Sequence, residues 1–349
     1  MYQKGVGCSD CHNPHTGKLK AEGNAVCTQC HAPQARPANA AFASAAGDYD
    51  LPAHTRHPVA SVGAQCTACH MPSKTYMQTQ ARPDHSLRVP RPDLSVKLGT
   101  LNACSQCHAE QTAQWAADRV AAWVGPKRRE DPHYGETFAA ARAGKPGADD
   151  ALARLAAERT QPPIVRATAL DALRGAPGIG DSTRIEATRD ADPEVRAAAA
   201  HSLEALPARQ RLYGLTPLLR DPVRAVRIAA ARGLSSLQPD QIDAATRPAF
   251  DAALAEYIAA QGVSLDMPGA QLNLAVVYQN TGRADLAEQH YLNALRFDPD
   301  FTPARANLAR LYNAGARNAD AERVLREGLR RLSDLGELRY SLGLLLAEE

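Results

Sequence analysis

The chain divides into two parts by the spacing of its apolar residues. Before residue 103 the apolar positions are scattered, prolines interrupt the sequence at short intervals, and no helical period continues for long. In 111–124 apolar residues return at helical spacing, and this spacing continues through most of the chain to its end. The pattern predicts a mostly α-helical protein, in which an irregular module over residues 1–125 precedes stacked helices.

A Val-Arg pair recurs in the helical part at a nearly constant interval. The three pairs are Val165-Arg166, Val195-Arg196 and Val226-Arg227, each followed by Ala and Leu at similar offsets. Asp192-Pro193 and Asp221-Pro222 each predict an Asp N-cap with Pro at the first helical position. The pattern resembles HEAT repeats. It predicts HEAT-like helices over 148–262, after a linker over 126–147 that contains the charged stretch 127–131.

A second, longer period follows in the last part of the chain. Asn273-Leu-Ala-Val-Val-Tyr278 aligns with Asn307-Leu-Ala-Arg-Leu-Tyr312, and Leu342-Gly343 begins a third unit that is cut short. This period of about 34 residues is typical of tetratricopeptide repeats, which are helix–turn–helix units and which residues 266–349 resemble. Both repeat types form α-solenoids whose concave faces bind other proteins. We therefore expect protein docking here, with bracing of the N-terminal module as the alternative.

Composition and charge narrow the possible functions. The chain has 349 residues, and 22% of them are charged, which is typical of a soluble globular protein. A net charge of +2 gives no electrostatic case for nucleic acid, and no apolar run is long enough for a membrane span. The first residues carry no signal peptide and the sequence ends inside a helical pattern. We expect both ends to be cuts through a longer protein.

The cysteines carry the most specific signal in the sequence. All eight lie between Cys8 and Cys107, in four copies of Cys-x-x-Cys-His. The copies are Cys8, Cys11 and His12; Cys27, Cys30 and His31; Cys66, Cys69 and His70; and Cys104, Cys107 and His108. This motif attaches c-type haem: the two sulfurs bond to the porphyrin edge, and the histidine binds the iron as proximal ligand. The sequence therefore predicts four covalently bound c-type haems.

Two other interpretations of the cysteines compete with haem. The stretch from Cys8 to Cys30 has the spacing of a zinc ribbon, and eight cysteines also suit a disulfide framework. Neither explains why histidine follows the second cysteine in all four copies. A zinc-binding protein with solenoid repeats is kept as a further hypothesis and ranks behind the haem-based functions.

Four further histidines are candidate distal ligands of the haem irons: His15, His54, His57 and His85. Histidine is strongly enriched in the part of the chain that holds the motifs and sparse in the helical part. His15 lies three positions after His12 and cannot reach the far face of that iron, so we expect it to bind a neighbouring haem. His133 is another candidate, although a linker residue is the preferred interpretation. We expect bis-histidine, low-spin haems of low reduction potential.

The segment from Cys8 to Leu19, followed by Asn24 to His31, resembles the doubled Cys-x-x-Cys-His module of periplasmic multihaem cytochromes c. These proteins are related to the multihaem nitrite reductase and hydroxylamine oxidoreductase group. The resemblance covers residues 1–125. It implies closely stacked haems, bis-histidine coordination by residues such as His15, and a location outside the cytoplasm, in the periplasm.

We expect electron transfer between redox partner proteins, with the haems as the conducting groups and the helical repeats as a docking region. Whether the protein is an enzyme stays open, although an electron carrier is favoured and no catalytic residue is predicted. The alternative is a multihaem oxidoreductase acting on a small nitrogen or sulfur oxyanion. It requires a haem with an open coordination position, which would lie in a missing N-terminal part.

Overall fold

The computed structural model describes residues 5–35, 47–125, 132–176, 178–332 and 335–348. Its contacts divide the chain into two compact units, Met1–Glu136 and Thr137–Glu349. The described residues are mostly helical, with one small sheet. This confirms the predicted fold class of an irregular module followed by a helical solenoid.

The first unit consists of short elements joined by turns. Its helices are α1 (Cys8–Cys11), α2 (Ala25–Thr28), α3 (Pro52–Thr55), α4 (Cys66–His70), α5 (Pro92–Leu98) and α6 (Ala113–Val124). Strands β1 (Ser73–Tyr76) and β2 (Gln80–Pro83) form an antiparallel hairpin. Helix α6 is the first long one. It begins where the Thr112 side chain accepts a hydrogen bond from the Trp115 backbone N–H at 3.1 Å.

Few apolar side chains are buried in the first unit. Among its described residues the buried apolar ones are Val26, Ala32, Ala64, Leu94, Ala116 and Ala117. Larger apolar side chains lie on the surface instead: Val59 is 70% exposed, Val62 71% and Leu101 84%. Two large buried side chains and four alanines are too few to hold a unit of this size together without another apolar group in its core.

The second unit is built of helix pairs. Its helices are α7 (Tyr134–Arg142), which begins in the first unit, α8 (Ala148–Ala157), α9 (Pro163–Ala172), α10 (Asp181–Ala187), α11 (Pro193–Ser202), α12 (Ala208–Leu215), α13 (Arg224–Leu234), α14 (Arg247–Gly262), α15 (Pro268–Asn280), α16 (Ala284–Phe297), α17 (Thr302–Ala314), α18 (Asn318–Arg331) and α19 (Gly336–Glu348). Helix α7 occupies part of the predicted linker 126–147. The segment has no amphipathic pattern that would predict a helix, but its run of three alanines favours one. The charged stretch 127–131 lies outside the described residues.

The repeated Val-Arg pair has two structural tasks. Val165, Val195 and Val226 are all buried in the core of the helix stack. Each arginine reaches an acidic side chain of the next repeat: Arg166 binds Asp190 at 2.5 Å, Arg196 binds Asp221 at 2.7 Å, and Arg227 binds Glu256 at 2.8 Å. Arg196 and Arg227 also donate to the backbone carbonyls of Asp190 and Asp221. We call these bonds the arginine ladder. It joins consecutive repeats.

The two predicted Asp N-caps have different outcomes. Asp192 caps α11, where its carboxylate accepts a hydrogen bond from the Glu194 N–H at 2.9 Å. The prediction for Asp221 is wrong, since α13 begins at Arg224 and Val223 is its N-cap. Asp221 lies one repeat after Asp190 and takes that residue's place in the arginine ladder, while Val223 lies one repeat after Asp192.

The last helices repeat at a constant interval, which matches the period of about 34 residues in the sequence. Helices α17 and α18 have the bounds of α15 and α16 shifted by one period, and α19 begins one period after α17. The third repeat therefore starts at Gly336, before the Leu342-Gly343 pair that signalled it. Gly328 makes room for the buried Arg305: a Cβ at this position would lie 2.9 Å from the arginine Nε.

None of the described helices is both long and apolar enough to cross a membrane.

The arginine ladder should contribute measurably to stability. We predict that Arg196→Ala lowers the free energy of unfolding by about 3 kcal/mol, because it leaves the Asp221 carboxylate buried without its cation. Urea unfolding followed by circular dichroism measures the change. As a control, Arg326→Ala breaks an exposed pair with Glu322 and should cost about 0.5 kcal/mol or less. Equal losses in the two variants would contradict the role of the ladder.

Candidate functional site

The four motifs of the first unit lie next to one another in chain order. The Cys11 and Cys30 thiols are close enough to interact electrostatically, as are Cys69 and both cysteines of the fourth motif. The Cys27 and Cys66 thiols share a hydrogen bond, which raises the pKa of Cys27 and lowers that of Cys66 to about 7. The motifs thus form one continuous row.

None of the eight cysteines, each of which the structure describes, forms a disulfide. Burial raises the pKa of the Cys11, Cys69 and Cys104 thiols. The described residues also contain no group of three or more His, Cys, Asp or Glu arranged around a common point. The disulfide framework is therefore not formed among these cysteines.

Three of the four motif histidines face a second histidine at nearly the same distance. The ring centres are 6.3 Å apart for His12 and His85, 6.3 Å for His70 and His54, and 6.2 Å for His108 and His57. Two metal–nitrogen bonds of about 2.0 Å, with about 1.1 Å from each nitrogen to its ring centre, place opposed axial imidazoles about 6.2 Å apart. The spacing fits one iron between each pair.

Hydrogen bonds fix the orientation of four of these six rings. The Nδ1 atom of His12 lies 2.8 Å from the Gly17 carbonyl oxygen, and that of His70 lies 2.9 Å from the Arg88 carbonyl. His57 and His85 have the same arrangement with the Thr55 and Pro83 carbonyls, at 2.6 and 2.9 Å. A carbonyl only accepts, so Nδ1 carries the proton and donates it. The Nε2 lone pair is then available to a metal.

The remaining candidate histidines have other surroundings. The ring of His31 lies 6.2 Å from the ring of Tyr49, which also contacts His54 at 5.1 Å. His15 is exposed and lies outside the ring contacts of the described residues, while its backbone N–H donates to the Asn13 side chain. The Nδ1 atom of His133 accepts the backbone N–H of Gly135 at 3.0 Å, so this ring is held by its own loop.

A cavity of about 650 Å³ adjoins the fourth motif. Cys104, Cys107 and His108 line it, together with the facing His57 and with Trp115 and Trp123. This volume lies within the range of pockets that enclose organic ligands. The cavity brings together the two thiols, the two imidazoles and the flat apolar walls that a covalently attached haem requires.

Gly63 lies against the ring of His57. A Cβ at this position would lie 2.6 Å from the ring Cγ and 2.8 Å from Nε2, well inside van der Waals contact. Only glycine therefore leaves space for this imidazole. Sequence reasoning missed Gly63, because nothing in the sequence near this residue marks it as a neighbour of the histidine.

Asn24 connects the second motif to the third. Its side-chain NH2 donates to the Asp50 carboxylate at 2.6 Å and to the Ala64 carbonyl at 2.9 Å. Its side-chain oxygen accepts the Cys66 backbone N–H at 2.8 Å. One half-buried amide thus satisfies three partners and holds the Cys66 backbone beside Cys27. This residue too has no signal in the sequence beyond its place before a motif.

Three family models match parts of the chain. The doubled CXXCH motif matches residues 2–36, the model of cytochrome c552 matches residues 47–152, and the model of HEAT repeats matches residues 182–259. No curated protein and no solved structure is similar enough to this chain to count as a match. The matches support a multihaem c-type cytochrome with helical repeats, and they confirm the predicted c-type haem and HEAT-like region.

The Asn24 bridge generates a stability prediction. We expect Asn24→Ala to lower the free energy of unfolding of the haem-loaded chain by about 2 kcal/mol, because the Cys66 N–H and Ala64 carbonyl lose their partner. Thermal unfolding measures the difference. Asn102→Ala is the matched control, since this amide accepts only from the nearby Ser105. If both variants unfold at the same temperature, Asn24 does not connect the motifs.

Proposed function

We propose that the first unit is an electron-transfer module that carries four covalently attached c-type haems, each bound through one Cys-x-x-Cys-His motif. The observation that carries this proposal is the ring spacing of 6.2–6.3 Å in three separate histidine pairs. The chain's few buried apolar residues in this unit support it as well, because porphyrins would supply the missing core. When bound, haem iron accepts and releases single electrons.

In this proposal the motif histidines are the proximal ligands, and three distal ligands follow from the ring pairs. His85 completes the site of His12, His54 that of His70, and His57 that of His108. His31 is the proximal ligand of the remaining haem, which is bound at Cys27 and Cys30. His15 stays a candidate distal ligand of a neighbouring haem, and its exposure leaves its imidazole accessible.

Two histidines on one iron leave no coordination position for a substrate, which favours electron carriage over catalysis at those three sites. The row of contacting motifs gives the haems a fixed order along the chain. His54 is also suited to ligation as a neutral ring, because burial lowers its pKa and the nearby His70 and Arg56 lower it further.

The second unit would then dock redox partner proteins. HEAT repeats provide interaction surfaces for other proteins, and the match over 182–259 supports this use. We assign the helices from Pro268 onward to tetratricopeptide repeats, because they recur with a period of about 34 residues. We place the protein in the periplasm or otherwise outside the cytoplasm, the location implied by the resemblance to periplasmic cytochromes.

Spectroscopy of the chain produced in a host that matures c-type cytochromes tests the proposal. We expect four haems per chain by pyridine haemochrome assay and mass, and only low-spin ferric signals in electron paramagnetic resonance. A high-spin signal from a full equivalent of haem at neutral pH would instead favour a multihaem oxidoreductase acting on a nitrogen or sulfur oxyanion. Bound zinc without haem would overturn both.

Gly63 gives a sharper test of the pairing of His57 with His108. We predict that Gly63→Ala converts one haem of four to the high-spin form, because the added methyl group displaces the His57 imidazole. His57→Ala should give the same spectrum. Gly7→Ala is the control, since its Cβ meets no atom closer than 3.9 Å. Four low-spin haems in Gly63→Ala would show that His57 is not the ligand.

A further inference from the structure

The cavity of the fourth motif contains two positive charges. Arg56 and Arg119 both line it, and no carboxylate is among the residues of its wall that the structure describes. Neither guanidinium forms an ion pair with a described Asp or Glu. The wall of the cavity thus carries two positive charges that no described carboxylate offsets.

The fold determines the positions of both arginines. Arg56 is the C-cap of α3 and has the left-handed conformation, with φ of 58°. In the sequence it lies between His54 and His57. Arg119 belongs to α6, where its guanidinium lies 5.8 Å from the centre of the Trp115 ring. Trp115 in turn lies 5.0 Å from the ring of His108. Arg56 thus directly precedes His57 in the chain, and Arg119 contacts the tryptophan that lies against His108.

The preceding motifs have a different electrostatic environment. The Asp50 carboxylate is held by Asn24, whose side chain also bonds to Cys66. This carboxylate is close enough to Cys27 and Cys66 to raise the pKa of each thiol through its charge. A negative charge thus lies at the junction of the second and third motifs, and two positive charges lie at the fourth.

We propose that Arg56 and Arg119 make the haem bound at Cys104 and Cys107 the site of highest reduction potential in the row, so that electrons collect at this end of the module. The inference rests on the proposed function, since it requires a haem in this cavity. It assigns a direction to electron movement along the row of haems, which the four motifs alone do not determine.

The physical reason is the charge of the iron. A ferric haem that takes one electron from a neighbouring haem or a redox partner loses one unit of positive charge, with no change in bonding. Cations nearby oppose the ferric state more than the ferrous state, so Arg56 and Arg119 would favour the reduction of a haem held in this cavity. Asp50 stabilises the ferric state at the preceding junction. Both effects increase the potential difference toward the fourth motif.

The test is a redox titration of the full haem-loaded chain, followed by electron paramagnetic resonance. The signal of the fourth haem is assigned by its conversion to high spin in His57→Ala. In the wild type this haem should be the first to become reduced. We expect Arg56→Gln and Arg119→Gln each to shift its equilibrium about ten-fold toward the ferric form, which is about 59 mV for a one-electron couple.

Lysine variants separate charge from shape. Arg56→Lys and Arg119→Lys keep the charge. The equilibrium between the ferric and ferrous forms of this haem should then change by no more than about three-fold, which is about 28 mV. Arg82→Gln is the control for an exposed arginine of the β-hairpin outside the cavity, and it should leave the fourth haem unchanged.

Two results would overturn the inference. The first is a wild-type titration in which another haem is reduced first. The second is a Gln variant that keeps four low-spin haems with unchanged potentials. If haem is missing from the fourth motif of the wild type, the proposed function has failed there, and the haem count distinguishes that outcome from the failure of the charge argument.

Discussion

The N-terminal unit depends on imidazole rings being opposed at a fixed separation and with a fixed proton position. Four of these rings donate from Nδ1 to a backbone carbonyl oxygen, and carbonyls inside a helix are already used by its own hydrogen bonds. The acceptors at Gly17, Thr55, Pro83 and Arg88 lie in turns or at the ends of elements. The irregular, proline-rich chain is therefore what the site requires, since long helices would leave too few free carbonyls.

The second unit has the opposite requirement, because the same contacts must recur along a stack of helices. Small alanines let helices approach, and the arginine ladder joins each repeat to the next through Asp190, Asp221 and Glu256. Interactions of this kind reach only the nearest repeat, so stability is close to a sum over neighbours. A surface built in this way can lengthen without disturbing the repeats that already exist.

The sequence predicted features that depend on local spacing and missed those that depend on long-range contacts. The motif cysteines, the period of the last helices and the Asp192 cap all follow from neighbours in the chain. The position of Gly63 against His57, and the three bonds of Asn24, arise from loops whose courses no period describes. Asp221 shows the limit clearly: its Asp-Pro pair matches a cap, yet its ion pair with Arg196 gives it a different place in the repeat.

Helix α3 and the residue pair that flanks its end have a consequence for assembly. His54 and His57 are close neighbours in the chain, and their rings face two different motif histidines, His70 and His108. The same short segment therefore supplies a ring to each of two motifs. In the proposed haem-loaded chain, an insertion or deletion between His54 and His57 would disturb both sites at once.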